Sequence, residues 1–326
     1  MDAAAPLGIA VRRAVLTLLC AAITSAAGAD ERYAVLVSGV SGGEPYATQQ
    51  QKWRSELAAF LTAGFAFSDA NVVILDEASE GSSRATAVNL RRLFADLRTR
   101  LTSDDMLMVV FLGHGTFDGT DAKFNLVGPD LGAAEWKTTL DGLPGRVVLV
   151  NTTASSFPFL EGLSRPGRIV ITATDSAAQR FSTVFPEYFT RALADRSSDF
   201  DKNGRISLWE AFAATSAGVK RHYEQRGQLA TERPLLDDNG DGQGRDAEAP
   251  GEDGAIARAV YLDPEPGAAG GDPALVALER QRLAFEKQIE ELKARRNSMT
   301  DEQYRAELER ILVELSRIAQ EIRKRS

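Results

Sequence analysis

The chain has 326 residues and a formal net charge of −8, from 38 Lys and Arg against 46 Asp and Glu. Such acidity excludes a general nucleic-acid binder, whose footprint is a basic face, and makes cations the more natural small partners. The chain holds one cysteine, Cys20, and two histidines, His114 and His222.

Residues 1–29 read as a secretory signal. Arg12 and Arg13 form its basic region, residues 14–23 its apolar region, and Ala27-Gly28-Ala29 a small-residue cleavage site before Asp30. The apolar run is shorter than the roughly 20 residues that span a bilayer. Leu19 is bulky where a lipoprotein signal needs a small residue beside Cys20. The expected mature protein is secreted or periplasmic, has no membrane span and, lacking Cys20, makes no disulfide.

Residues 30–262 alternate short apolar runs with longer amphipathic ones. Strands are predicted at 33–39, 71–75, 106–112, 146–151 and 168–174, and helices at 49–63 and 85–101. The strand runs are nearly continuous in Val, Ile and Leu, as strands buried on both faces require. The expected fold is therefore α/β, a mainly parallel sheet with helices on both faces. Ligands of such sheets gather at the carboxyl ends of the strands. Gly113-His114-Gly115 and Thr152-Thr153-Ala154-Ser155-Ser156 each directly follow a strand.

A Gly-, Ala- and Pro-rich linker occupies 263–273, and 274–326 reads as a helical hairpin turning near Asn297. In its second helix Tyr304, Leu308, Ile311, Leu315, Ile318 and Ile322 form a heptad seam; in its first, Leu278, Phe285, Leu292 and Met299 repeat every seven residues. Thr300 and Gln303 form a capping box. So short a hairpin docks on something: its own domain, a second copy or a partner helix.

An apolar strand ending in Gly-His-Gly, followed by another ending in a small polar turn, resembles the legumain and caspase clan of cysteine peptidases, and fits its legumain-like bacterial members better than caspases. The segments at 33–39, 171–175 and 185–189 extend the resemblance over about residues 33 to 262. It implies a caspase-like sheet, with His114 as catalytic base, Gly115 beside it as an oxyanion donor, and Thr153 where the family places its cysteine. A hydroxyl at that place needs a base within hydrogen-bond reach, whereas a thiol is activated by a neighbouring imidazole alone. The family also grips substrate with an Arg after a Tyr; Ala47 follows Tyr46 here. Both departures point to lost catalysis and a pseudopeptidase that binds peptide or protein segments. The rival reading is a hydrolase in which Thr153, Ser155 or Ser156 is the nucleophile and His114 the base. Asp118 and Asp175 are its candidate orienting carboxylates, by nearness in sequence alone. A third reading gives the function to the hairpin. His222, in a polar helical stretch, reads as a solvated surface group.

A calcium signal is read directly from residue spacing. Residues 199–210 match the EF-hand loop, with Asp199, Asp201 and Asn203 at positions one, three and five, the Arg205 carbonyl at seven and Glu210 at twelve. Gly204 and Ile206 fill the turn and apolar positions, and helices are predicted at 187–196 and 208–221. A second spacing match runs through Asp237, Asn239, Asp241, Gln243 and Glu248, but Pro234, Pro250 and Gly251 deny it flanking helices, so a calcium loop and a polar turn both remain open.

Overall fold

The structure, a computed structural model, describes residues 31–263, 273–296 and 299–325. The predicted signal with Cys20, residues 264–272 of the linker, and Asn297 lie outside the described residues.

The chain opens with β1 (Arg32–Ser38), α1 (Glu44–Ala59), β2 (Val72–Leu75), α2 (Ala87–Arg100) and β3 (Met106–Leu112). A small meander follows, β4 (Gly115–Phe117), β5 (Ala122–Phe124) and β6 (Leu131–Gly132), then α3 (Ala133–Asp141), β7 (Arg146–Asn151), α4 (Phe157–Leu163) and β8 (Ile169–Thr172). The remainder is α5 (Phe185–Ala194), α6 (Leu208–Gln225), β9 (Leu235–Asp237), α7 (Ala255–Ala259), and the hairpin α8 (Pro273–Ala294) and α9 (Asp301–Arg325).

The main sheet has the order β2-β1-β3-β7-β8-β9, and β4-β5-β6 form a separate antiparallel sheet. All main-sheet pairings are parallel except β8 with β9. The sequence predicts a mainly parallel sheet, and the apolar runs supply it. Alternate residues of β1 serve opposite layers. Ala34 and Leu36 pack with Trp53, Leu57, Phe185, Phe189 and Phe212 from α1, α5 and α6. Val35 and Val37 pack with Leu90, Phe94, Trp136, Leu140 and Phe159 from α2, α3 and α4. β1, β3, β7 and β8 thus bury both faces, which is why their sequences show no polar alternation.

Several boundaries differ from the sequence expectation. The helix predicted at 49–63 begins at Glu44, because Pro45 sits in its first turn, where the missing N–H would be unpaired anyway. Its far end widens into a π-helical turn over Phe60–Gly64. The strand predicted at 168–174 is trimmed to Ile169–Thr172, since the residues beyond it turn to bond the neighbouring loop. In the hairpin, Thr300 and Gln303 cap reciprocally, at 3.1 and 3.2 Å. Among its described side chains, Leu292, Ile311 and Ile318 are the buried apolar ones. No helix among the described residues is long and apolar enough to cross a membrane.

Candidate functional site

The site lies where β1, β3 and β7 end. β3 runs beside β7 with Phe111 opposite Asn151, so the segments leaving both strands meet. β1 and β2 turn one way across the sheet and β3 the other, which puts the crevice expected at such a switch point between the ends of β1 and β3. Gly113, at φ 136°, makes the turn out of β3 that only glycine adopts freely.

His114 enters this crevice half-buried. Its Nε2 lies 2.7 Å from the main-chain oxygen of Ser41, in the loop after β1. A carbonyl only accepts, so Nε2 carries the proton in this contact, and Nδ1 is the acceptor of the neutral ring. The Tyr46 ring stands edge-on to the imidazole, with centroids 5.1 Å apart. The residue that precedes Ala47 is thereby part of the crevice wall.

Thr153 is fully buried directly beyond β7. Its hydroxyl lies 2.7 Å from Asn151 Oδ1 and 3.1 Å from the Ala154 carbonyl, and its single proton serves the nearer acceptor. Gly115 opens β4 against this residue. A side chain there would strike the Ala154 carbonyl and approach Thr153 Oγ1 to 2.6 Å, so the Gly-His-Gly turn and the Thr153 turn fit together only through glycine.

The other hydroxyls bridge toward the loop after β8. The Ser155 N–H and hydroxyl both donate to the Gln179 carbonyl at 2.9 Å. Ser155 holds φ 52°, a left-handed conformation that costs a β-carbon-bearing residue. Ser156 and Thr174 exchange three bonds: the Ser156 N–H to Thr174 Oγ1 at 3.1 Å, the Thr174 N–H to Ser156 Oγ at 3.1 Å, and hydroxyl to hydroxyl at 3.0 Å. Among the described residues none of these hydroxyls bonds to His114. Asp118 accepts from the Thr120 and Asp121 N–H groups, which with Lys123 hold its carboxyl near 2. Asp175 faces Arg233 at 3.8 Å. Both carboxylates are committed away from the imidazole.

Sequence reasoning passed over Asn151. It receives the Thr153 N–H and hydroxyl on Oδ1, while its Nδ2 is buried without a partner among the described residues. Its one sequence signal is a polar residue ending an otherwise apolar run. Ser41 and Gln179 carried no signal at all, since each acts through a main-chain oxygen, and Tyr46 was marked only as the residue before Ala47, not as a neighbour of His114.

The resemblance requires a mainly parallel sheet with the histidine and the nucleophile position at the ends of adjacent strands, and His114 and Thr153 stand so. Over 56 residues the chain is also 39% identical to Metacaspase-4 of Arabidopsis thaliana. The fold is caspase-like. The matching segment is 17% of this chain, and the chain spans 13% of that relative's length. No protein-family model matches the chain. Among solved structures, a Geobacter sulfurreducens protein aligns with TM-score 0.41 and 15% identity, over 64% of this chain and 93% of that one. The Drosophila initiator caspase Dronc aligns with TM-score 0.40 and 14% identity, over 68% of this chain and 84% of its own.

The 199–210 loop connects α5 to α6. Asp199, Asp201 and Glu210 each bring a carboxylate oxygen within 4.8 Å of the others. Loss of hydration and the Glu210 and Asp199 charges push Asp201 up to about 6. Asp199 accepts from the Asn203 and Gly204 N–H groups, closing the turn that Lys202 and Gly204 make at positive φ. Glu210 doubles as the capping-box residue of α6, receiving the Ser207 N–H at 2.8 Å, and also receives the Phe200 N–H at 2.8 Å. Arg205, whose carbonyl is position seven, lays its guanidinium over the Tyr261 ring at 4.0 Å. Ile206 is fully buried at the apolar position. Asp263 ties this loop to the last residues before the linker. Its carboxylate accepts the Ile206 N–H at 2.8 Å and faces Arg196 at 3.4 Å, while its carbonyl accepts from Arg205 at 3.0 Å.

The 237–248 stretch is a series of Asx turns. Asp237 accepts from the Gly240 and Gly242 N–H groups, Asn239 from Asp241, and Asp241 from Gln243. Glu248 lies apart, its side chain 73% exposed and paired with Lys220 at 2.5 Å. Asp238 and Asp253 clamp the stretch instead. Asp238 accepts from Gly254 and Ala257 of the α7 start, and Asp253 from Asp238 and Asn239. His222 is not fully solvated. Its Nδ1 lies 3.2 Å from the Tyr188 hydroxyl, and partial burial lowers its pKa.

Proposed function

We propose that this chain is a catalytically silent peptidase-like protein that binds peptide or protein segments in the crevice between β1 and β3. The observation that supports this most is the state of the two groups a peptidase would couple. The Thr153 hydroxyl is buried and bonded to Asn151, and the His114 Nε2 proton is bonded to Ser41. A thiolate beside an imidazolium needs no third group, but a hydroxyl must give its proton to a base as it attacks. Here that base lies outside its hydrogen bonds, and the nearby carboxylates are bonded elsewhere. The turns that carry His114 and Thr153 still fit together through Gly115, which supports a crevice that takes an extended segment without the chemistry to cut it.

The test is peptide-library binding and cleavage by the native chain beside Thr153→Cys and Thr153→Cys/His114→Ala. We expect the native chain to bind without turnover, the thiol variant to cleave, and the double variant to lose that cleavage. Turnover by the native chain that His114→Ala abolishes would replace this reading with a hydroxyl-nucleophile hydrolase.

The same reading includes an exported, calcium-binding protein. Export rests on the signal pattern at 1–29. Calcium rests on the 199–210 loop, whose donors are carboxylate, amide and carbonyl oxygens, the set a hard cation prefers. The crowding of Asp199, Asp201 and Glu210 fits that role: burial first and the neighbouring charges second raise Asp201, and a bound cation would favour its charged form. Asp199, Asp201, Asn203, the Arg205 carbonyl and Glu210 would hold it. Asp237, Asn239 and Asp241 offer oxygen donors in the second stretch without the twelfth-position Glu.

A further inference from the structure

The hairpin lies beside its own domain, at the 199–210 loop. Glu286, midway along α8, stands among the charges of that loop: Asp201, Arg205 and Asp199 all act on it, and its own charge acts on Tyr261. Tyr261 is part of the frame of the loop. Its ring receives the Arg205 guanidinium at 4.0 Å, its hydroxyl accepts from Asn203 Nδ2 at 3.2 Å, and its backbone bridges Ser207. The Glu286 side chain is 25% exposed, and its Oε1 faces Arg282 Nε at 3.5 Å. Its Oε2 is buried and bonds to nothing among the described residues. A carboxylate oxygen buried without a donor is costly and calls for a positive or proton-donating partner.

Ser207 occupies position nine of the loop, where such loops commonly hold their ion through a water. Its hydroxyl donates to Glu210 Oε2 at 2.8 Å and accepts the Glu210 N–H at 3.2 Å, so it is committed to the capping box of α6. The outer contact at position nine is left to another group. Resting on the calcium reading of this loop, we propose that calcium fastens the hairpin to the main domain, with Glu286 of α8 accepting from the water that the ion holds at position nine. Without the ion, α8 brings a fourth carboxylate toward Asp199, Asp201 and Glu210, whose oxygens already lie within 4.8 Å of one another. With the ion, the same carboxylate is drawn inward, so calcium sets the sign of the contact. The hairpin depends on such a contact. Three buried apolar residues among its described side chains are too small a core to hold two helices rigid alone. By linkage, docking tightens calcium by the same factor by which calcium tightens docking.

Hydrogen exchange of the whole chain, with and without calcium, reads both partners at once: peptides covering 199–210 report the ion, and peptides covering 278–292 report docking. We expect calcium to slow exchange in both stretches of the native chain. Glu286→Gln keeps the shape of the side chain and removes its charge. In that variant calcium should still slow 199–210, leave 278–292 unchanged, and bind about tenfold to a hundredfold more weakly by calorimetry. Protection of 199–210 in the native chain with no change in 278–292 overturns the hairpin proposal and leaves the calcium reading standing. So does a Glu286→Gln chain whose 278–292 stretch still responds to calcium, or one that binds the ion as tightly as the native chain. No protection in either stretch and no calorimetric binding would remove both readings together.

Discussion

The side-chain oxygen of Asn151 accepts both the Thr153 hydroxyl, at 2.7 Å, and the Thr153 main-chain N–H, at 3.1 Å. The amide thus holds the turn after β7 and occupies the hydroxyl at the nucleophile position. Removing it leaves a buried N–H unsatisfied. Asn151→Ala should destabilise the fold by about 1–3 kcal/mol, read as a lower urea midpoint with an unchanged slope. A midpoint equal to the native one would show that the turn does not depend on this amide.

Ser155 can be examined with a pair of variants that both lack its hydroxyl bond to Gln179. Only Ser155→Gly also relaxes the left-handed φ of 52°. Ser155→Gly should be more stable than Ser155→Ala by about 1 kcal/mol, the ordinary cost of a β-carbon in that region. Equal thermal midpoints for the two would mean that the backbone there carries no such strain.

Calcium should raise the melting temperature and a chelator reverse it, with a gain of about 2.7 kcal/mol at a hundredfold excess over the dissociation constant. Asp201→Asn gives a sharper version. Without calcium the variant should melt above the native chain, because one of three crowded charges is gone. With calcium the order should invert, because a ligand is gone as well. Native melting curves that superimpose with and without calcium would remove the calcium reading.

Burial, together with the Glu232 carboxylate that its hydroxyl bonds at 2.6 Å, pushes the Tyr223 phenol up to about 12 from an ordinary 10.0. Between those values the folded chain keeps a proton that the unfolded chain has lost. Its contribution to stability is therefore complete below pH 10 and lost as pH rises toward 12. Tyr223→Phe should cost about 1–3 kcal/mol at neutral pH, since Glu232 loses a donor, and should flatten that alkaline decline. An undiminished slope in the variant would assign the decline to other groups.

The layers and the placing of His114 and Thr153 were legible because both depend on long apolar runs: β3 and β7 are buried on both faces, and whatever follows them must emerge at the carboxyl ends of the strands. β4 to β6 were not, since strands of two or three residues carry no period to detect. The edge strand β9 pairs antiparallel after a polar approach, and α4 is a single short stretch behind Pro158, so neither announced itself. At the site, spacing found the 199–210 carboxylates because all lie in one loop. It could not assign Asp118 or Asp175. Their partners are fixed by the β4–β5 turn and by Arg233, which tertiary structure brings near. Glu248 shows the same limit: regular spacing placed it with Asp237 and Asp241, and Lys220 of α6 holds it outward.

Asp263, the last described residue before the linker, is fastened to Arg196, Arg205 and Ile206, and the strand bridge of Ser207 with Tyr261 lies immediately behind it. Tension applied through the linker therefore reaches the main domain at Asp263, and through its bonds the 199–210 loop. A tethered hairpin would load that loop like a strain gauge.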